Sequence, residues 1–65
     1  MSDYKNDDPL LSVEEAVAYL RLSPSTLARF RKENARPNYI KLGRRVLYRK
    51  SELDAYIDAN LIATL

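Results

Sequence analysis

The stretch SVEEAVAYLRLSPSTLARF, residues 12–30, decides the fold, because it holds two helix starts in close succession. Ser12 and Glu15 have the spacing of a capping box, in which the serine hydroxyl accepts from the Glu15 amide and the carboxylate reaches back to the Ser12 amide. The helix that follows places Val13, Ala16, Val17 and Leu20 on one face, with Glu14, Glu15 and Ala18 outward. Arg21-Leu22 interrupts this pattern and Ser23-Pro24 restarts it. Ser23 is a good N-cap, and Pro24 suits the first turn, where its missing N–H costs nothing. A second helix from Pro24 to near Glu33 carries Leu27, Phe30 and Asn34 on one side and Ser25, Ala28, Arg29 and Lys32 on the other. Asn34 is a stop, and Pro37 opposes continuation. Two short helices joined by so few residues make a helix-turn-helix.

Beyond Pro37 the pattern changes from helical to alternating. Tyr39-Ile40-Lys41-Leu42 and Arg45-Val46-Leu47-Tyr48-Arg49 flank Gly43-Arg44 and predict a small hairpin, with Gly43 supplying the positive φ of a tight turn. Ile40, Leu42, Val46 and Tyr48 are expected to face the core, and Tyr39, Lys41, Arg45, Leu47 and Arg49 to face out. A two-stranded hairpin is marginal alone, so this one must lean on the helices. Ser51 reads as the N-cap of a third helix, whose buried stripe is Leu53, Tyr56, Ile57 and Leu61. Tyr19, Tyr48 and Tyr56 are expected in the core. Residues 1–9 read as a flexible acidic tail, residues 10–60 as the folded domain and residues 61–65 as a short apolar C-terminal tail. The expected class is therefore mostly α with a small β-hairpin wing, a winged helix-turn-helix.

Charge is strongly polarised along the chain. The net formal charge is +2, yet ten of the eleven bases lie between Arg21 and Lys50 with Glu33 as their single acid. Residues 1–20 sum to −4, residues 21–50 to +9 and residues 51–65 to −3. A concentrated positive field attracts polyanions. Composition narrows the chemistry further. There is no Cys and no His, and Gly43 is the only glycine, so thiol chemistry, the commonest acid–base and metal-ligating residue, and a glycine-rich phosphate loop are all excluded. No catalytic residue, metal site or cofactor is expected, and no small-molecule substrate. The longest apolar run is Ala16 to Leu20, too short for a membrane span.

The order helix, turn, helix, hairpin, helix is carried by three motifs: Leu-Ser-Val-Glu-Glu-Ala from Leu11, Ser-Pro-Ser-Thr-Leu-Ala-Arg-Phe-Arg from Ser23, and Ile-Lys-Leu-Gly-Arg-Arg-Val-Leu-Tyr-Arg-Lys-Ser-Glu-Leu-Asp-Ala-Tyr-Ile from Ile40. Together they resemble the excisionase/AlpA-like helix-turn-helix family, compact winged-helix relatives of the MerR group, over roughly residues 10–60. The resemblance implies double-stranded DNA as partner, the second helix in the major groove and the wing on backbone or minor groove. By position it implies Ser25, Thr26, Arg29 and Lys32 as the groove-facing set and Lys41, Arg44 and Arg45 as the wing set. Many members have Gly where Arg21 and Asn34 stand, and a polar or basic residue where Pro24 removes one base contact.

Each of these residues also has a plainer reading. Arg29 and Lys32 lie opposite the apolar face, where surface charge is common; in a helix-turn-helix, Arg29 suits guanine O6 and N7, and Lys32 suits phosphate. Ser25 and Thr26 serve either the helix start or the groove. Ser23 is a cap first, with a phosphate contact as its second role. Arg21, Arg31 and Arg36 are flanking phosphate clamps or plain surface. Arg49 meets phosphate or an acid of the third helix. Wing charges also keep a hairpin edge soluble. One module of this size reads few base pairs, and the chain stops too soon for a long dimerisation arm. Self-association on DNA is therefore expected, with acidic flanks meeting a neighbour's basic wing, helped by Tyr39, Leu47, Ile62 and Leu65. The expected role is an excisionase (recombination directionality factor) of a mobile element, working beside an integrase in a bacterial cytoplasm, associated with the nucleoid. A small AlpA-like transcriptional regulator fits the same chemistry, and a protein-interaction adaptor or an RNA binder fits it less well.

Overall fold

The computed structural model describes residues 8–62. Its elements run β1 (Leu10–Ser12), α1 (Val13–Leu20), α2 (Pro24–Lys32), β2 (Ile40–Leu42), β3 (Arg45–Arg49) and α3 (Lys50–Ala59). The three strands form one antiparallel sheet in the order β1-β3-β2. This is a winged helix-turn-helix, and the wing is the β2–β3 hairpin.

The expected local signals hold for the first two helices. Ser12 Oγ accepts from the Glu15 amide at 3.1 Å while Glu15 Oε1 accepts from the Ser12 amide at 2.8 Å. α1 ends on Arg21 in the left-handed region, φ 60°, where the Arg21 and Leu22 amides both donate to the Val17 carbonyl. A left-handed arginine costs more than a glycine there, but the turn geometry is kept. α2 ends in a Schellman motif: Asn34 has φ 56°, its amide donates to Arg31, and the Ala35 amide donates to Phe30.

The core consists of Ala16, Leu27, Tyr48 and Leu53, with Leu11, Val13, Val17, Leu20, Leu22, Phe30 and Val46 packed around it. One buried residue thus comes from each helix and one from the central strand, so the three helices and β3 are pinned to the same centre. Apolar burial of this kind is the main favourable term in so small a domain.

Four expectations are corrected. First, the expected two-stranded hairpin is part of a three-stranded sheet, because Leu10–Ser12 pairs with β3, Leu11 with Tyr48 and Ser12 with Leu47. Second, the hairpin faces are redistributed. The two-residue loop sets Leu42 opposite Arg45 and Ile40 opposite Leu47, and directly paired residues share a face. Ile40 and Leu42 therefore lie on the side away from Val46 and Tyr48. Leu42 is 52% exposed, whereas Leu47, expected outside as a self-association contact, is 9% exposed between Ser12 and Ile40. Third, α3 starts at Lys50, its N-cap position is Arg49, and no side chain within the helix caps it; Ser51 lies inside the first turn. The cap comes instead from Asp8, which accepts from the Ser51 amide at 2.9 Å and from the Ser51 hydroxyl at 3.0 Å. Asp8 and Pro9 thus belong to the packed domain, since the Pro9 carbonyl also accepts from the Lys50 amide. Fourth, the α3 stripe ends early. Leu53 is buried and Tyr56 half-buried, but Ile57 and Leu61 are exposed, and so is Tyr19 of α1.

Candidate nucleic-acid interface

α2 is presented by its own caps. Ser23 Oγ accepts from the Thr26 amide at 3.1 Å and lies 2.7 Å from Thr26 Oγ1 and 3.3 Å from Ser25 Oγ. The three hydroxyls cluster where the helix N-terminus places partial positive charge, which favours a phosphate nearby. Ser23 is engaged as the cap, Thr26 is half-buried, and Ser25 is exposed. Leu27 and Phe30 turn inward, and the outward face carries Ser25, Ala28, Arg29 and Lys32.

Arg29 is exposed but not idle. Its Nε lies 3.9 Å from Glu33 Oε2, with both side chains more than half exposed, and its guanidinium lies 5.5 Å from the Phe30 ring centroid. Such a pair is worth about 0–1 kcal/mol and exchanges readily for a DNA contact. Lys32 has no ion-pair partner among the described residues.

The wing is equally local in origin. Gly43 has φ +61° and Arg44 does not share a positive φ, the pattern of a type II′ turn. Lys41, Arg44 and Arg45 are exposed around this loop, and none has an ion-pair partner among the described residues. The register sends Lys41 to the Val46 side of the hairpin and Arg45 to the Leu42 side, so the tip presents cations in more than one direction.

The flanking arginines divide. Arg21 and Arg36 are exposed and without ion pairs among the described residues. Arg31 is half-buried and donates from Nη1 to the Tyr48 hydroxyl at 3.0 Å. Arg49 lies 3.8 Å from Asp8 rather than beside an acid of α3. Lys50 donates to Asp54 at 3.0 Å, Tyr19 donates its hydroxyl to the same carboxylate, and the ammonium lies 5.7 Å from the Tyr19 ring centroid. The Tyr19 hydroxyl, then Lys50, hold the Asp54 carboxyl below the usual carboxylate range, and Asp54 with Tyr19 pushes the Lys50 ammonium up. This cluster ties α1 to α3.

Of the residues expected in self-association, Tyr39 and Ile62 are exposed, Leu47 is enclosed, and Leu65 lies outside the described residues. An open groove of about 560 Å³ runs between the end of α2 and α3, lined by Phe30, Ala35, Arg36, Ala55, Tyr56 and Ala59 among others. Two contributors were missed by sequence reasoning. Asp8 had the signal of an acid before Pro9, but its partner is 43 positions away. Leu42 required the turn-defined register. Among the described residues no carboxylate cluster could hold a metal ion, and no helix is long and apolar enough to cross a membrane.

A short helix pair, a basic outward helix face and a basic hairpin tip define a winged helix-turn-helix DNA-binding domain. Residues 10–61 match the model of a helix-turn-helix domain family, that of the small AlpA/excisionase-like DNA-binding proteins, and the chain belongs to it. No curated protein and no solved structure matches the chain. Membership makes DNA the partner and fits a protein that binds rather than catalyses.

Proposed function

We propose that this protein is an excisionase-type recombination directionality factor of a mobile genetic element, which binds adjacent sites on double-stranded DNA cooperatively and works with an integrase. In this reading α2 enters the major groove. Arg29, released from Glu33, contacts guanine, Lys32 meets phosphate, and Ser25 and Thr26 lie at the groove edge. Lys41, Arg44 and Arg45 of the wing meet backbone or a narrow minor groove. Ser23, Arg21 and Arg36 flank these contacts, and Arg49 joins them when it leaves Asp8.

The observation that carries the reading is the distribution of unpaired cations. Lys32, Lys41, Arg44 and Arg45 are exposed on the outward helix face and the wing, and none is neutralised by an acid among the described residues. A merely solvated surface tends to intersperse both signs.

Cooperativity follows from size. A single module buries about 600–1,000 Å² against DNA and reads few base pairs. Exposed Tyr39, Ile57, Leu61 and Ile62 offer apolar surface for a neighbouring copy. Gel shifts on one site against several tandem sites test this, and independent filling of the tandem sites contradicts it. Excision in vitro with and without the integrase tests the biological role. A protein that fills tandem sites yet leaves excision unchanged is a small transcriptional regulator instead.

A further inference from the structure

α2 is held to the core by Leu27 and Phe30, and apolar contacts of that kind are non-directional. Its directional tie to the sheet is one bond, from Arg31 Nη1 to the Tyr48 hydroxyl at 3.0 Å. Leu27 and Arg31 are one helical turn apart, so the apolar and the polar anchor lie on the same side of α2. Tyr48 is fully buried in the central strand, on the strand that leaves the wing tip. The ring of Tyr39, the residue just before the other wing strand, lies 6.3 Å from it, centroid to centroid. The central strand of the sheet, the segment leading into β2 and the inner side of α2 therefore meet at one phenol.

A buried hydroxyl needs a partner, and the planar guanidinium gives a bond of fixed direction. Arg31 is also adjacent in sequence to Lys32, which faces outward. A small rotation of α2 about its axis would move both together and change the direction in which Lys32 faces relative to the wing.

We infer that the Arg31–Tyr48 bond sets the angle between the DNA-facing helix and the wing, so that both engage one duplex at once. Arg31 is then a positioning residue and not a phosphate clamp. This rests on the DNA-binding reading above and adds to it the element that couples the two contact surfaces.

Tyr48→Phe removes one oxygen and keeps the aromatic packing; Arg31→Met keeps an unbranched stem and removes the donor. Duplex affinity is measured by fluorescence anisotropy across a salt series for both variants, alone and combined with Arg44→Ala, with circular dichroism to confirm the fold. The expected result is a loss of about three- to tenfold for either variant, with the slope of log K against log salt flattened alike in both as the wing disengages, and a smaller penalty for Arg44→Ala in either background than in the wild type. Wild-type affinity in Tyr48→Phe together with a slope reduced by about 0.9 in Arg31→Met identifies a phosphate contact and overturns the inference alone. Absence of salt-dependent binding by the wild type overturns the DNA reading and the inference with it. If Tyr48→Phe fails to fold, Arg31→Met decides through Arg44→Ala: a shrunken Arg44→Ala penalty supports the inference, and a penalty equal to that in the wild type overturns it.

Discussion

Replacing Asp8 by Ala tests whether α3 is capped from the far end of the chain. The carboxylate accepts two hydrogen bonds, at 2.9 Å from the Ser51 amide and 3.0 Å from the Ser51 hydroxyl, and lies 3.8 Å from Arg49. α3 has no side-chain cap of its own. Loss of a capping side chain costs about 0.5–2 kcal/mol. The Arg49 pair adds little, because both partners are substantially exposed and screened. A total of about 1–2 kcal/mol is therefore expected, and for a domain of this size each kcal/mol shifts Tm by about 4–8 °C. Ser51→Ala keeps the amide bond and loses the hydroxyl, so its shift is the smaller of the two. Thermal unfolding followed by far-ultraviolet circular dichroism reads both. An Asp8→Ala protein that melts with the wild type refutes the cap by Asp8, as does a Ser51→Ala shift larger than that of Asp8→Ala.

Two other outcomes follow from the charged pairs. Glu33→Gln releases Arg29 from its 3.9 Å partner and removes the single acid of the basic stretch, so anisotropy is expected to show tighter DNA binding by about twofold to fivefold at low salt, with the gain shrinking as salt rises. The Asp54 carboxyl is held down by Tyr19 and Lys50, so its stabilising effect is present above the ordinary carboxylate range and is lost as pH falls through its depressed folded value. The Tm difference between wild type and Asp54→Asn is accordingly expected to be full near neutral pH and to close in acid; a difference constant down to the acid limb contradicts the Tyr19–Asp54–Lys50 clasp.

The parts of the fold that were legible in the sequence are those encoded within three or four residues. Ser12 with Glu15 and Ser23 with Thr26 are contacts at i, i+3, and the stop at Asn34 needs only a residue that accepts left-handed φ. β1 was not legible, because Leu10–Ser12 has no alternation of its own and is a strand only where β3 supplies the partner. Alternation within each wing strand was visible, but the phase between the strands depends on loop length. A two-residue loop puts Leu42 beside Arg45 and so reverses the expected places of Leu42 and Leu47. The third helix misled for the same reason: Ser51 looks like a cap, while the capping group comes from Asp8. At the candidate site the positions of Arg29, Lys32 and Arg44 were readable from helical and hairpin geometry. The engagement of Arg31 by Tyr48 and of Arg49 by Asp8 was not, since both partners are distant in sequence.

The most direct test of the account is the salt dependence of binding to duplex DNA, measured for the wild type and for Arg44→Ala. The four unpaired cations of the outward helix face and the wing, Lys32, Lys41, Arg44 and Arg45, predict a slope of log K against log salt of about −3.6 or steeper where the flanking Arg21 and Arg36 add contacts, which is a loss of about 150-fold or more between roughly 50 and 200 mM salt. Arg44→Ala is expected to reduce that slope by about 0.9 and to weaken all duplex sequences alike. A flat salt dependence, or a slope that Arg44→Ala leaves unchanged, contradicts a basic helix and wing that grip one duplex.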